Sequence, residues 1–259
     1  MKRILAFVIL ISCGEQLSAQ ITDSLALEGI FQEITELNPT SEIYLDEGWN
    51  MFGIGGCHNP QDISFFDDYE QVHSIKDYKG NIYLPSWGFD NIGQLEVGKA
   101  YWIKLTAPLG PISFCEGVVI PPLEFLDLNT LSLPDIYQMI VLLNPPIEHY
   151  FEEGWNIFET GCANPVSVWE YYYNYYDPWF TNFKILKDDN GFVFFVDWTF
   201  GDLQTLNGMG EGFQAKAEID FGPVSFCEGV HLPIYSGCID EQAINYNSLV
   251  SEDDGSCTY

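Results

Sequence analysis

The residues with chemistry to offer are seven cysteines, four histidines, a large excess of carboxylates and one dense run of aromatic rings. Cysteine chemistry divides into bridges and metal thiolates, and the chain has no CxxC and few histidines to complete a metal site. Bridges are therefore expected of Cys57, Cys115, Cys162, Cys227, Cys238 and Cys257. The segment from Ser236 to Cys257 carries five acids and no base between two closing cysteines. Oxygens of Asp240, Asn245, Asn247, Asp253 and Asp254 suit a hard cation, with calcium the natural candidate outside a cell. The spacing is not that of an EF-hand, and the second reading is a stapled cap in which Asn and Asp serve as turn residues.

Catalytic constellations are absent from the pattern. None of the histidines His58, His73, His149 and His231 recurs at a matched position elsewhere in the chain. The glycine-rich Gly208-Met209-Gly210-Glu211-Gly212 is not followed by a helical pattern, so it reads as a turn into a strand and not a phosphate cradle. Adjacent carboxylates such as Asp67-Asp68 and Glu152-Glu153 are expected at this acid content, and adjacency does not place two acids across a cleft. The chain reads as a non-enzyme, with a hydrolase site private to one part of the chain as the third choice. The aromatic run from Tyr171 to Phe180 is more informative. Tyr173, Tyr175, Tyr176 and Trp179, with the nearby Trp198, could form a stacking platform for sugars or a sticky protein contact. The alternative is that these rings fill a thin β core and cover a loop. Trp49 and Trp155 read as core anchors.

Charge narrows the partners. The 259 residues hold 38 Asp and Glu against 9 Lys and Arg, a net charge of −29, with 47% hydrophobic residues. That apolar content supports a folded core despite the charge. A nucleic-acid partner is excluded by the lack of bases to neutralise phosphates, and an anionic membrane surface is disfavoured likewise.

The elements that must position these residues come in duplicate. Glu47-Gly48-Trp49-Asn50-Met51-Phe52 returns as Glu153-Gly154-Trp155-Asn156-Ile157-Phe158, and Gly110-Pro111-Ile112-Ser113-Phe114-Cys115-Glu116-Gly117-Val118 as Gly222-Pro223-Val224-Ser225-Phe226-Cys227-Glu228-Gly229-Val230. Leu37-Asn38-Pro39 and Leu143-Asn144-Pro145 lead into the two copies. A duplicated unit that closes its own pair selects Cys57–Cys115, Cys162–Cys227 and Cys238–Cys257 from fifteen pairings. Short stretches rich in Ile, Val, Tyr, Phe and Trp, punctuated by Gly, Pro, Asn and Asp, predict strands. Hairpins are expected over Lys76–Leu84 and Lys187–Phe195, and helices over Asp23–Leu37 and Pro134–Leu143.

The start of the chain, with Met1-Lys2-Arg3 before the apolar Ile4–Ile11, predicts a secretory signal peptide over 1–19. A lipid anchor on Cys13 is the other reading, since Leu10-Ile11-Ser12-Cys13 resembles a lipobox. No other segment is long and apolar enough to span a bilayer. The expected fold is mainly β: repeat 1 over 20–122 and repeat 2 over 123–235, each disulfide-stapled and preceded by a short helix, then a Cys-closed module over 236–259.

Two resemblances follow from these residues. The tail, through Gly237-Cys238, Asp240, Ala243, Asn245-Tyr246-Asn247 and Asp253-Asp254-Gly255-Ser256-Cys257, resembles short modules near the ends of secreted proteins of marine Bacteroidetes. The larger units resemble the "GWN…GYWIK" repeats of exported surface proteins in the same bacteria. The first unit keeps that pattern through Gly48-Trp49-Asn50, Lys76-Asp77, Gly80, Tyr83, Pro85, Gly88 and Tyr101-Trp102-Ile103-Lys104. The second departs from it at Val196 and at Phe213-Gln214-Ala215. The resemblance implies an exported location, extracellular, cell-surface or periplasmic, and a modular architecture; it implies no mechanism. The expected roles are a non-catalytic binding, adhesion or surface-structure protein with an extracellular protein or glycan partner, or a carbohydrate-binding accessory module.

Overall fold

The computed structural model describes residues 24–115, 117–126, 131–162, 165–169, 180–206, 208, 210–227, 229–247 and 249–259. The proposed signal peptide, Cys13, and the aromatic residues Tyr173, Tyr175, Tyr176 and Trp179 lie outside them. The fold is mainly β, as the punctuated strand pattern predicts. Helix is confined chiefly to α1 (Ser24–Leu37) and α2 (Leu133–Leu143), both close to their expected bounds.

The first copy contains β1 (Ile43–Leu45), β2 (Gly48–Phe52), β3 (Gln61–Asp62), β4 (Val72–Lys76), β5 (Ile82–Leu84), β6 (Phe89–Asp90), β7 (Gln94–Leu95), β8 (Tyr101–Leu105) and β9 (Leu109–Ile112). The second contains β10 (His149–Phe151), β11 (Gly154–Phe158), β12 (Val166–Ser167), β13 (Phe183–Lys187), β14 (Val193–Phe195), β15 (Phe200–Gly201), β16 (Thr205–Leu206), β17 (Phe213–Ala217) and β18 (Phe221–Val224). Their sheet orders match. A five-stranded antiparallel sheet runs β2-β8-β4-β5-β6 in one and β11-β17-β13-β14-β15 in the other. Each is flanked by two short pairs, β1-β9 and β3-β7, or β10-β18 and β12-β16.

Duplicated polar residues hold the turns. Asn50 Nδ2 donates to the Asp46 carbonyl at 2.8 Å while its Oδ1 accepts from the Asp46 N–H at 2.9 Å. Asn156 repeats this with Glu152 at 2.8 and 3.0 Å. The chain between must turn through left-handed backbone, at φ 106° for Gly48 and 104° for Gly154, which only glycine adopts freely. In the hairpins, Asp77 Oδ1 accepts from the Lys79 and Asn81 N–H groups, and Asp188 Oδ1 from that of Phe192.

One face of each five-stranded sheet covers a core of aromatic rings. Phe52 stacks on Phe114 at 6.0 Å in the first copy, and Phe158 on Phe226 at 5.1 Å in the second. Each fully buried ring contributes about 1.5–3 kcal/mol. Both copies lie in one compact unit, Glu28–Pro121 with Tyr137–Pro233, while a second unit contains Pro122–Ile136 and Ile234–Tyr259.

Within the first unit the copies grip each other reciprocally. Asn38 exchanges two hydrogen bonds with the backbone of His231, both at 2.7 Å. Asn144 exchanges the equivalent two with Val119, at 2.7 and 2.8 Å. Phe52 bridges to Glu211 and Phe158 to Lys99, again as a matched pair.

Two of the three expected bridges are closed: Cys57–Cys115 and Cys238–Cys257. The third is not. Cys162 and Cys227 are free thiols, hydrogen-bonded to each other. The loops leading from the two sheets differ in length. Gly53-Ile54-Gly55-Gly56 separates Phe52 from Cys57, but only Glu159-Thr160-Gly161 separates Phe158 from Cys162. Cys162 thus reaches its partner from a loop one residue shorter, and both thiols turn toward the Thr160 carbonyl at 3.6 and 3.9 Å. The hydrogen bond with Cys227, and then burial, push the Cys162 thiol well up from its ordinary pKa.

Candidate functional site

The alternation of β2 is the reverse of what hydrophobicity suggests. Asn50 points inward, where its side chain is consumed by the Asp46 turn, so Trp49 is forced outward. Trp49 is 52% exposed and its duplicate Trp155 is 51% exposed, which corrects the expectation that these are core anchors. Antiparallel register sets a lysine directly opposite each: Trp49 faces Lys104 on β8, and Trp155 faces Lys216 on β17. The next outward row pairs Lys76 with Trp102 in the first copy and Lys187 with Gln214 in the second. Toward the sheet edge, Leu84 faces Phe89 and Phe195 faces Phe200.

The edge connections add two further rings. Trp87 precedes Phe89 and is 81% exposed; Trp198 precedes Phe200, is 72% exposed, and stacks on Phe195 at 5.4 Å. Of the five aromatic residues expected to bind, Trp198 is the one the described residues include, and it lies on this surface. Trp87 was readable as its counterpart, since Trp87-Gly88-Phe89 aligns with Trp198-Thr199-Phe200, and both central residues are left-handed, at φ 59° and 46°.

The basic charge gathers in and beside the central strands of the two sheets. Apart from Lys2 and Arg3, every basic residue falls in or beside β4, β8, β13 and β17: Lys76, Lys79, Lys99, Lys104, Lys184, Lys187 and Lys216. Among the described residues only Lys184 forms ion pairs, at 2.7 Å to both Asp197 and Glu218. In the first copy the ammonium groups lie over rings instead. Lys76 Nζ is 4.5 Å from the Trp49 ring and 5.3 Å from that of Trp102, and Lys104 Nζ is 5.9 Å from Trp49. Such contacts orient a cation while leaving its N–H donors toward solvent. The faces meet at a small cluster of Met51, Ala100 and Ile157, with Tyr78 and Trp102 packed against it.

Below this seam lies the most perturbed acid of the unit. Glu159 is fully buried, accepting from the Ile54 N–H at 3.1 Å and the Gly55 N–H at 2.9 Å. Burial raises its pKa to about 7 against the lowering by these backbone donors. The matched residue in the first copy is Gly53, where a Cβ would fall inside the Glu159 carboxyl group. Nearby His149 is lowered to about 4, also by burial. Both lie within the packing between copies.

Each of the tail residues makes its own hydrogen bonds within the tail. Asp240 accepts from the Gln242 N–H and the Tyr259 hydroxyl, Asn245 from Thr258, and Asn247 from the Leu249 N–H. Asp253 and Asp254 accept from the Gly255 and Ser256 N–H groups. The bonds to Gln242, Leu249, Gly255 and Ser256 are turn contacts of the kind short Asx side chains make two residues on, while those to Thr258 and Tyr259 tie the loop to the chain end. Among the described residues, no three His, Cys, Asp or Glu side chains are grouped to hold a metal ion.

Comparison with known proteins finds no matching family model, no matching curated protein and no matching solved structure. The functional reading therefore rests on the geometry of this chain. Two closed disulfides, with no helix among the described residues long and apolar enough to cross a membrane, are compatible with export.

Proposed function

We propose that this is an exported, non-catalytic binding protein that presents the duplicated outer sheet faces to an extracellular partner. The observation that carries the reading is the matched pair of half-exposed tryptophans, Trp49 and Trp155, each with a lysine directly across the strand. A tryptophan held outward on a rigid sheet offers a large contact area at little entropic cost, which is why such rings anchor interfaces. Two copies on one unit would let a repetitive or extended partner engage both faces, gaining avidity from a second contact of modest strength.

The test is retention of the full mature chain on immobilised polysaccharides and on surface preparations of cells. Replacing both Trp49 and Trp155 by Ala should lower retention at least tenfold with an unchanged melting temperature. Unaltered retention in that variant would remove the faces from the function. Turnover of a glycoside, ester or peptide substrate would remove the non-catalytic assignment.

A further inference from the structure

Resting on that binding reading, we infer that the outer face of the first copy takes an acidic polysaccharide, a linear glycan bearing carboxylate or sulfate groups. The two faces differ in a way that selects this chemistry. In the first copy, the indoles of Trp49 and Trp102 lie beside the ammonium groups of Lys76 and Lys104. In the second, Gln214 replaces Trp102 and the ammonium group of Lys184 is neutralised by Asp197 and Glu218. Lys76 and Lys104 have no carboxylate within ion-pair distance among the described residues, although acids outnumber bases by 38 to 9. Both ammonium groups lie against indole rings instead.

Ring and charge are adjacent here. An ammonium 4.5 Å from an indole centroid matches a sugar whose anionic group is attached directly to its ring. The exposed Trp87 and Phe89 extend the same sheet with apolar stacking area toward its edge. A nucleic acid fits less well, because its charge density calls for many more cations than this face supplies. Long-range repulsion between an acidic chain and an acidic glycan is screened beyond roughly 8 Å at physiological salt, leaving the contact pairs in force.

The experiment is calorimetric titration of the full mature chain, in EDTA so that divalent ions do not bridge carboxylates. The ligands are a linear polyuronate, a sulfated galactan and a neutral linear glucan. Binding to at least one of the two anionic polymers should be at least tenfold tighter than to the glucan, and the two anionic arms identify carboxylate or sulfate as the preferred group. The Lys76→Gln, Lys104→Gln double variant should lose that preference at unchanged melting temperature. The Lys184→Gln variant, whose ammonium group already pairs with Asp197 and Glu218, should change it less than twofold. Equal affinity for neutral and anionic glycans would overturn the acidic class and leave the binding reading standing. Anionic binding indifferent to Lys76 and Lys104 would overturn the assignment to this face. Self-association seen by light scattering, abolished in the same variant and without glycan binding, would overturn it in favour of a second copy as the occupant.

Discussion

The two copies share one sheet order and one set of turns, yet differ in chemistry at the positions where they meet. Gly53 is matched by Glu159, Ile43 by His149, Lys99 by Glu211, and the bridged Cys57 by the free Cys162. The turn residues did not diverge: Gly48 and Gly154, Asn50 and Asn156, and Asp77 and Asp188 do the same work in both. The difference separates what the scaffold demands from what the pairing of copies demands. Backbone that must pass through φ near +105° accepts only glycine, whichever copy it is in. A seam between unlike neighbours instead needs complementary volumes, so Glu159 fills the space that Gly53 vacates.

The largest expected effect comes from the cysteines. Removing the first bridge with Cys57→Ser should lower unfolding free energy by about 2–4 kcal/mol. Cys162→Ala should cost roughly 1 kcal/mol, since it removes one buried sulfur and no cross-link. Denaturant midpoints measure both. Alkylation of the unfolded, unreduced chain should label Cys162 and Cys227 but none of the other four bridging candidates. Equal losses, or no label on Cys162, would erase the asymmetry between copies.

Next comes the pH response of the seam. Glu159 has a folded pKa near 7, above its ordinary 4.5, so between these values the unfolded chain has released a proton that the folded one keeps. Stability from this group is fully present below pH 4.5 and falls by about 1.4 kcal/mol per pH unit as pH rises toward 7. His149 has a folded pKa near 4, below its ordinary 6.5, and over that window the unfolded chain binds the extra proton. Its contribution therefore rises with pH by a similar slope. The two ramps oppose each other and nearly cancel between about pH 4.5 and 6.5. Relative to the parent, Glu159→Gln should expose the rising ramp, and His149→Ile, which installs the residue of the first copy, the falling one. Parallel profiles for the two variants would sink the assignment.

Much of this architecture is legible in the residues, and the failures have specific physical origins. Both helices, the strands, the paired hairpins and two bridges follow from periodicity, turn chemistry and duplication. The direction of Trp49 does not, because it depends on Asn50 spending its amide on the Asp46 backbone and so claiming the inward position. The open third bridge was not legible: the interval from Phe158 to Cys162 is one residue shorter than its match, and spacing alone does not convert into sulfur geometry. Glu159 had no signal, since its burial is created by the other copy.

The reciprocal clamps should respond unequally to the same substitution. Asn144 is buried, so Asn144→Ala removes its bonds to Val119 and also empties a packed site, at about 2 kcal/mol. Asn38→Ala opens the backbone of His231 to solvent, which can replace the lost bonds, at about 1 kcal/mol or less. Equal costs would show that the two clamps are equivalent and that the seam is more symmetric than its residues.

The smallest effect is expected in the tail, which like the first copy is closed by a disulfide but has no counterpart elsewhere in the chain. Its bridge spans 19 positions, a loop length for which closure contributes about 3 kcal/mol. Its acids are expected to add no comparable cation site, since one oxygen each of Asp240, Asp253 and Asp254 accepts a hydrogen bond within its turn and no three acids are grouped among the described residues. A site of 1 mM affinity would add about 1.4 kcal/mol at 10 mM calcium. The melting temperature of the whole protein should instead be the same in calcium and in EDTA at constant ionic strength. A rise that persists when Asp253 and Asp254 are replaced by Asn would place the ion elsewhere, and one abolished by those replacements would restore the tail as a calcium site. An unchanged midpoint leaves the bridge as the element that closes the tail, with the same role as Cys57–Cys115 in the first copy and none yet formed in the second.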